Sequence, residues 1–427
     1  MKKTNWIITQ ELDFEKAEKA LDDHSKLMTV LSVLPAQKLF SHLDAVRKGR
    51  REKSHPTIFL WNCFIVMMVY RHPTFESLRR ELMRNRDLRF ACFGRNDKND
   101  VASPSSFSRF LKKLSARKSQ AILDDMFKDI IAKLREKLPG FGQKLAGDST
   151  EISSLSNGIK KKETGQTSDP DASWRKYEMK HIADDGNVMK SSKKWFGYKL
   201  HLLVDAIYEL PLGYAVTSAN VNDDKPMRAI VDDTLESHPD MKPETIALDG
   251  AYDTNENHKH FLSSKILPVI HQNKRARKEP EGIFNMDGVP ACVNGFELCY
   301  KGRDGDFLKY VCPNGKTLSC IEKCDTKVVK LKVGKDGDFV NYRALPTHTK
   351  KFEREYKKRT AVERVISRYK DGWGQERMNV LWIAKTKAMI SISLLCMVSF
   401  ALAMAGQKRE SDIRKYASLC DARRQAA

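Results

Sequence analysis

No apolar run follows the start of this chain. Met1-Lys2-Lys3 gives way to Trp6, Ile7 and Ile8, and Gln10 and Glu11 end the stretch. No signal-peptide core forms, so a cytoplasmic protein is expected. Paired cysteine motifs are missing as well. The nine cysteines are Cys63, Cys92, Cys292, Cys299, Cys312, Cys320, Cys324, Cys396 and Cys420, and none has the CxxC spacing of a zinc ribbon. Their odd number, and the apolar settings of Cys63, Cys92 and Cys396, point to reduced thiols rather than disulfides or structural zinc. Internal repeats are absent. A long apolar run occurs once, from Ala388 to Ala405, interrupted by Ser391, Ser393 and Ser399. Its length barely reaches that of a membrane span, and cations flank it on both sides, so a buried core helix and no membrane partner are expected. Acid is the last shortfall. Fifty-five Asp and Glu face 76 Lys and Arg, leaving a formal charge of +21. Such an excess favours a polyanionic partner, because each neutralised phosphate releases condensed counterions. Basic membrane-surface and ribosome-associated proteins share the feature.

What is present is ordinary globular material. The chain has 427 residues, 41% hydrophobic and 31% charged, enough for two or three domains with buried cores. Residues 1–140 read as helical. Pro56 to Tyr70 is a buried helix, and Pro73-Thr74 opens a basic amphipathic one with Leu78 and Leu82 inward. Ser103-Pro104 has the form of an N-cap followed by proline at the first helical position, and another helix runs from about Ser119 to Leu138. Short helices with outward Arg and Lys suit a DNA-binding module, a reading placed slightly ahead of a purely structural cap.

After Gly140 the period changes. Lys144 to Thr150, Tyr198 to Ala206, Leu210 to Thr217, Thr245 to Leu248 and Ile266 to Ile270 read as strands. Lys225 to Ser237 and Asn255 to Ser264 read as helices, giving a mixed sheet with an antiparallel meander first and αβ units after. Ser153 to Lys194 reads as a long polar loop, of a kind usually functional or mobile. Residues 272–350 hold five of the nine cysteines and short alternating strands such as Phe307 to Cys312, and read as an inserted β-rich subdomain. Helical periodicity returns from Lys351 to about Lys370, and residues 406–427 read as a polar, poorly ordered tail.

Three acids stand out by position. Asp148 ends the first strand and Asp249 ends the run Ile246-Ala247-Leu248, where side chains leave a rigid sheet for solvent. The third lies on a helix. Stepping 100° per residue from Tyr356 puts Arg359, Glu363 and Lys370 on one stripe about 60° wide, beside the apolar face formed by Val362, Val365, Ile366 and Tyr369. Glu353 points away from that face, and Glu355 lies among apolar positions nearer the insertion. Glu363 is therefore the better candidate. In-line cleavage of a phosphodiester is served by two divalent ions about 3.5–4 Å apart, and magnesium takes carboxylate oxygens as ligands. Lys199 and His201 share a face of the second strand, but a satisfied structural histidine is the simpler reading.

Tyr356-x2-Arg359-x3-Glu363-x6-Lys370 resembles the YREK signature of bacterial insertion-sequence transposases of the DDE type. Upstream, Asp169 to Ala172, Trp195 to His201, Thr217 to Asn220 with Asp223, and Asp249 to Asp253 are similar to the family's other landmarks, in the same order. The resemblance spans about residues 40 to 405. It implies an α/β fold, an RNase H-like mixed sheet with flanking helices, an inserted β-rich subdomain and an N-terminal all-helical domain. The expected divisions are 1–140 for the helical domain and probable DNA-end binding, 141–271 with 351–405 for the catalytic core, 272–350 for the insertion and 406–427 for the tail. Asp148, Asp249 and Glu363 would then be the catalytic trio and the ligands of two Mg2+ ions, with Mn2+ as a substitute. Tyr356, Arg359 and Lys370 would contact DNA near the cleaved phosphate. The implied partners are DNA with terminal inverted repeats, target DNA and a second copy in a homodimeric synaptic complex, associated with the bacterial nucleoid. No aromatic wedge for a flipped base stands out. Two other readings remain: a transposase-derived DNA-binding protein that no longer transposes, which the intact trio disfavours, and a basic protein anchored through Ala388 to Ala405.

Overall fold

Lys144–Ser153 forms strand β1, with Leu145, Ala146 and Ile152 buried. The computed structural model describes residues 25–46, 55–160, 165–182, 188–273, 284, 289–292, 294–313, 328–377 and 379–415. In it, β1 has neighbours of both kinds. Antiparallel to it runs β3 (Val188–Asp205), with Asp148 opposite Leu202. Parallel to it runs β5 (Thr245–Leu248), with Ala146 opposite Ala247. β4 (Leu210–Ser218) returns along β3, and β6 (Leu267–Ile270) lies parallel to β5. The order β4-β3-β1-β5-β6, an antiparallel meander followed by two parallel strands, is the RNase H-like arrangement. A separate antiparallel sheet, β7 (Cys299–Asp304), β8 (Phe307–Val311) and β9 (Val328–Lys332), falls within the stretch read as an insertion.

One sequence expectation fails here. The segment Ser153 to Lys194 is not all loop, because β2 (Ser173–Ile182) pairs with the first half of β3 as a two-stranded ribbon. Its sequence mixes Lys and Arg with scattered Trp174 and Tyr177, so the regular apolar alternation that marks a half-buried strand is missing. At Gly197 the chain has φ +157° and lies opposite both Ser153 of β1 and Ser173 of β2. A side chain there would strike the Ile152 carbonyl, so glycine is what lets three strands meet.

Helices cover both faces. α1 (Ser25–Val33), α2 (Gln37–Ala45), α3 (Thr57–Val69), α4 (Phe75–Arg84), α5 (Arg86–Phe93), α6 (Pro104–Leu114) and α7 (Arg117–Lys137) precede the sheet. The Ser103 hydroxyl accepts from the Ser106 amide, so the N-cap read from Ser103-Pro104 is present. Buried Arg89 donates to the carbonyls of Leu82 and Met83 and so satisfies the end of α4. α8 (Asp224–Ser237) buries Met227, Ile230 and Val231 against the sheet. Gly147 is what allows that approach, since a Cβ there would meet Met227 and Leu248. α9 (Asn255–Ser263) joins β5 to β6.

The helix expected at 351–370 is broken into four pieces. α10 (Lys350–Tyr356) passes through a 3-10 turn at Lys357–Arg359 into α11 (Thr360–Ser367), and a π turn follows at Arg368–Gly372. α12 (Ile383–Gly406) is apolar on every side and packs on α1, α3, α6, α7 and β4. Among the described residues it is the one helix long and apolar enough to cross a membrane, yet 94% of its most apolar window is buried inside the protein. Through it the N-terminal helices and the sheet share one core.

The expected loose tail is also corrected. Ile413 is buried, and Arg414 donates to the carbonyls of Ile207 and Tyr208. Residues 416–427 lie outside the described residues. Arg414 belongs to a knot around Glu209, a buried residue of the β3–β4 turn with φ +56°. Arg364 and Arg368 reach the same carboxylate at 2.7 and 2.8 Å, and Arg414 at 3.2 Å. Burial pushes the Glu209 carboxyl up, but the arginines outweigh it and hold it below its usual range. The knot therefore clamps α11 and the C-terminal segment to the turn. Glu209→Gln should destabilise the protein by about 2 kcal/mol, less than for a fully buried pair because Arg364 and Arg414 are half-exposed. The measurement is the denaturant midpoint; an unchanged value would mean that the clamp contributes nothing.

Candidate active site

Asp148 and Asp249 each lie two residues beyond the register pair Ala146 and Ala247, so they stand side by side on the same face. Asp249 follows the last residue of β5 as expected, but Asp148 sits in the middle of β1, not at its end, because β1 stays paired with β3 as far as Ser153. Each is oriented by the backbone just after it. Asp148 accepts from the Ser149 amide at 2.7 Å, and Asp249 accepts from the Ala251 amide at 3.0 Å, capping the turn Gly250–Tyr252. Burial, and after it the charge of Asp249, push the Asp148 carboxyl up to about 7. Burial raises Asp249 as well.

The broken helix brings the next residues to this edge. Arg359 stands between two acids, 3.7 Å from Asp148 and 2.5 Å from Glu363. Its guanidinium also lies 5.9 Å from the centre of the Tyr356 ring, which stacks on Phe352. Asp148, Asp249, Tyr356, Arg359 and Glu363 thus gather at one place. Lys370 does not join them, because it sits in the π turn beside Glu151 and Lys193. The regular helix assumed for the 60° stripe fails at that turn. The rival acids are accounted for separately. Glu355 is buried and paired with Lys358 and Lys144, and Glu353 pairs with Lys357.

Sequence reasoning passed over a second layer of residues. Lys199, fully buried, places its ammonium 2.9 Å from Asp223 and 2.8 Å from the Val221 carbonyl. His201 bonds Thr217 through Nε2, with Nδ1 3.5 Å from Asp223; burial pushes it down to about 4, so it is neutral near pH 7. The Asp223 charge in turn acts on Asp148 and Asp249. Tyr252 has a buried hydroxyl with no hydrogen-bond partner among the described residues, and the charges of Asp148, Asp223 and Asp249 act on it. The available signal was the period-2 placement of Lys199 and His201 in an otherwise apolar strand. A buried lysine there demanded an acid, and Asp223 supplies it. Behind Asp249, buried Asp253 is held by Arg343 at 3.1 Å and His258 at 2.8 Å. Arg343 also donates to the Ile270 carbonyl, so the chain leaving the insertion is fastened to the turn that follows Asp249.

Among the described residues, no three Asp, Glu, His or Cys side chains converge closely enough to hold a metal ion. The donor set nevertheless fits a hard divalent cation, being carboxylate oxygen throughout, with a basic group now lying between two of the acids. An Asp148 carboxyl driven upward by burial and a like charge is the kind of group that a cation stabilises. In the insertion, Cys292, Cys299 and Cys312 are free thiols, while Cys320 and Cys324 lie outside the described residues.

Residues 140–399 match the family described as "Transposase DDE domain". No curated protein matches the chain. Among solved structures, a cryo-EM structure of a piggyBac transposase synaptic complex with hairpin DNA is similar at 12% identity and a TM-score of 0.44, over 94% of this chain and 82% of that one. A likeness so distant adds nothing to the geometry above.

Because the folded-state pKa of Asp148 is raised, its contribution to stability is fully present below the ordinary aspartate value of about 4 and is lost as pH rises. In the metal-free protein that loss should be complete once pH passes about 7. Melting temperatures of the wild type and Asp148→Asn, taken in chelator from pH 4 to 8, should diverge in favour of the variant as pH rises. Parallel curves would remove Asp148 as a strained acid.

Proposed function

The chain belongs to the transposase DDE-domain family, and we propose that within it the chain acts as an insertion-sequence transposase of the YREK type. On this reading it cuts DNA at the terminal inverted repeats of its element and joins the freed ends to target DNA. The observation that carries the reading is Arg359 standing between Asp148 and Glu363, at the strand edge where Asp249 also ends.

Asp148, Asp249 and Glu363 would hold two Mg2+ ions, or Mn2+ in their place. When bound, the ions stabilise charge on the entering and leaving oxygens of an in-line phosphodiester reaction. In cutting, a water oxygen bonds to phosphorus and the bond to the 3′ oxygen breaks, leaving a 3′ hydroxyl. In joining, that hydroxyl attacks a target phosphorus and displaces the target strand's own 3′ oxygen. Arg359, once its carboxylates face cations, is free to hold a phosphate oxygen through its fork of donors. Tyr356 offers a phenol beside it, and Lys370, one step away, suits the backbone of the same strand. Buried Lys199 holds Asp223, whose charge acts on both aspartates, in place. A homodimer would present two such sites to the two element ends, in a bacterial cytoplasm where the protein accompanies the nucleoid.

The wild type should cut DNA carrying the element's ends in the presence of Mg2+ or Mn2+, and chelation should stop it. Asp249→Ala and Glu363→Gln should reduce cutting to background while leaving DNA binding in place, and Arg359→Ala should weaken both. Cutting that survives Asp249→Ala or Glu363→Gln would overturn the assignment. A wild type that binds the ends but never cuts them would leave a DNA-binding descendant of such an enzyme.

A further inference from the structure

The ribbon of β2 and the first half of β3 is not needed to complete the five-strand sheet. Its backbone register runs from Ser173 opposite Gly197 to Ile182 opposite Val188. Within it Arg175, Lys176, Lys180, Lys190, Lys193 and Lys194 stand against a single acid, Glu178. The register sets Lys176 directly opposite Lys194, and Lys180 directly opposite Lys190. Like charges in directly opposed positions weaken a pair of strands. In the three-stranded sheet the similar pair Lys309 and Lys330 is offset by Asp304, 3.2 Å from the Lys330 ammonium. In sequence, the two strands and the segment joining them carry six Lys and Arg against Glu178, Asp184 and Asp185, a net excess of cations.

Its surface is also aromatic. Trp174 is 52% exposed and Tyr177 40%, with the Arg175 guanidinium 5.6 Å from the Tyr177 ring centre. Lys176, Lys193 and Lys194 are exposed beside them. The base of the ribbon meets the acidic centre. Lys193 pairs with Glu151, three residues beyond Asp148 on β1, and both groups act on Lys370. The Asp223 charge reaches Tyr177. A line of cations and exposed rings therefore leads outward from the acids by way of Lys370.

We propose that this ribbon is a DNA-holding surface that carries the phosphate backbone into the acidic site, with Lys176 and Lys194 on phosphates and Trp174 against a sugar or base. The inference rests on the reading of the site as a DNA-cutting centre. Exposed rings interleaved with cations suit a nucleic-acid strand, where a ring gives stacking and a cation gives counterion release. A second copy of the chain is the poorer occupant, because each copy carries a formal charge of +21 and a basic ribbon would face a basic partner.

The test uses full-length protein and a DNA duplex of arbitrary sequence, with binding followed by fluorescence anisotropy across a salt titration. Lys176→Ala/Lys194→Ala should weaken binding about tenfold at moderate salt and lower the slope of log affinity against log salt by about two. Trp174→Ala should weaken binding with an unchanged slope. Circular dichroism should show the double variant folded like the wild type. Should it fail to fold, Lys194→Gln alone should lower the slope by about one. An unchanged slope and affinity in a folded variant would overturn the proposal, and so would a change in sedimenting mass without a change in DNA binding, which would make the ribbon a contact between copies. Cutting is scored separately on element ends. A wild type that never cuts but shows the ribbon-dependent slope keeps this surface and loses the enzyme reading, whereas normal cutting with an unchanged slope does the reverse.

Discussion

Two carboxylates side by side on adjacent parallel strands repel each other, and the sheet gives them no room to part. Asp148 and Asp249 are fixed by the pairing of Ala146 with Ala247, and backbone amides orient both. Burial above all, and then this repulsion, pushes Asp148 up to about 7. Much of the surrounding structure offsets that cost. Arg359 brings positive charge between Asp148 and Glu363, and Lys199 is buried against Asp223 a short way off. Around a fixed negative centre, a cation supplied from solvent meets little reorganisation.

The centre keeps its geometry because elements distant in sequence are tied to it by charge. Glu209 gathers Arg364, next in sequence to Glu363, with Arg368 and Arg414, so the helix bearing the third acid is held at the sheet's far corner. Asp253 gathers Arg343 and His258, so the return from the insertion is held at the turn following Asp249. Both knots place a carboxylate among several donors, and Asp253, like Glu209, is held below its usual range although burial pushes it up. Removing one partner from such a knot leaves a charge stranded in a poor solvent, which makes each tie stiff.

Elements that bury one apolar face were legible in the sequence. Thr245 to Leu248 is a strand at the bounds read for it, and Lys225 to Ser237 begins one residue late. Asp249 was legible for the same reason, since it ends an apolar strand, whereas Asp148 follows the apolar half of β1 and the polar half runs on to Ser153. The ribbon was not, because residues such as Lys176, Lys193 and Lys194 face solvent and show no alternation of apolar and polar. The placement of Lys370 was missed because the wheel assumes an even 100° per residue, and a π turn breaks that count. Lys199 and Asp223 were each noticed but not joined, because only the lysine's place in an apolar strand is local, and its partner lies 24 residues away in sequence. Docking of residues up to Lys415 was likewise invisible, since it depends on Arg414 finding carbonyls more than 200 positions away.

The helix with the strongest resemblance to a membrane span is the one that makes the molecule a single body. α12 is apolar around its whole circumference, so it can satisfy no surface and must be surrounded. One side receives β4 and the others receive helices from the N-terminal region. Half-buried Tyr214 of β4 marks the seam, its hydroxyl bonded to Asp124 of α7 and Ser391 of α12, and Lys387 pairs with the same Asp124. A polar cluster with its partners in place inside an apolar interface fixes one arrangement of the three elements over others of similar burial. The basic helices near Arg80 and Arg84 are therefore carried on the same rigid frame as the acids, and any DNA they hold is held at a set distance from Asp148.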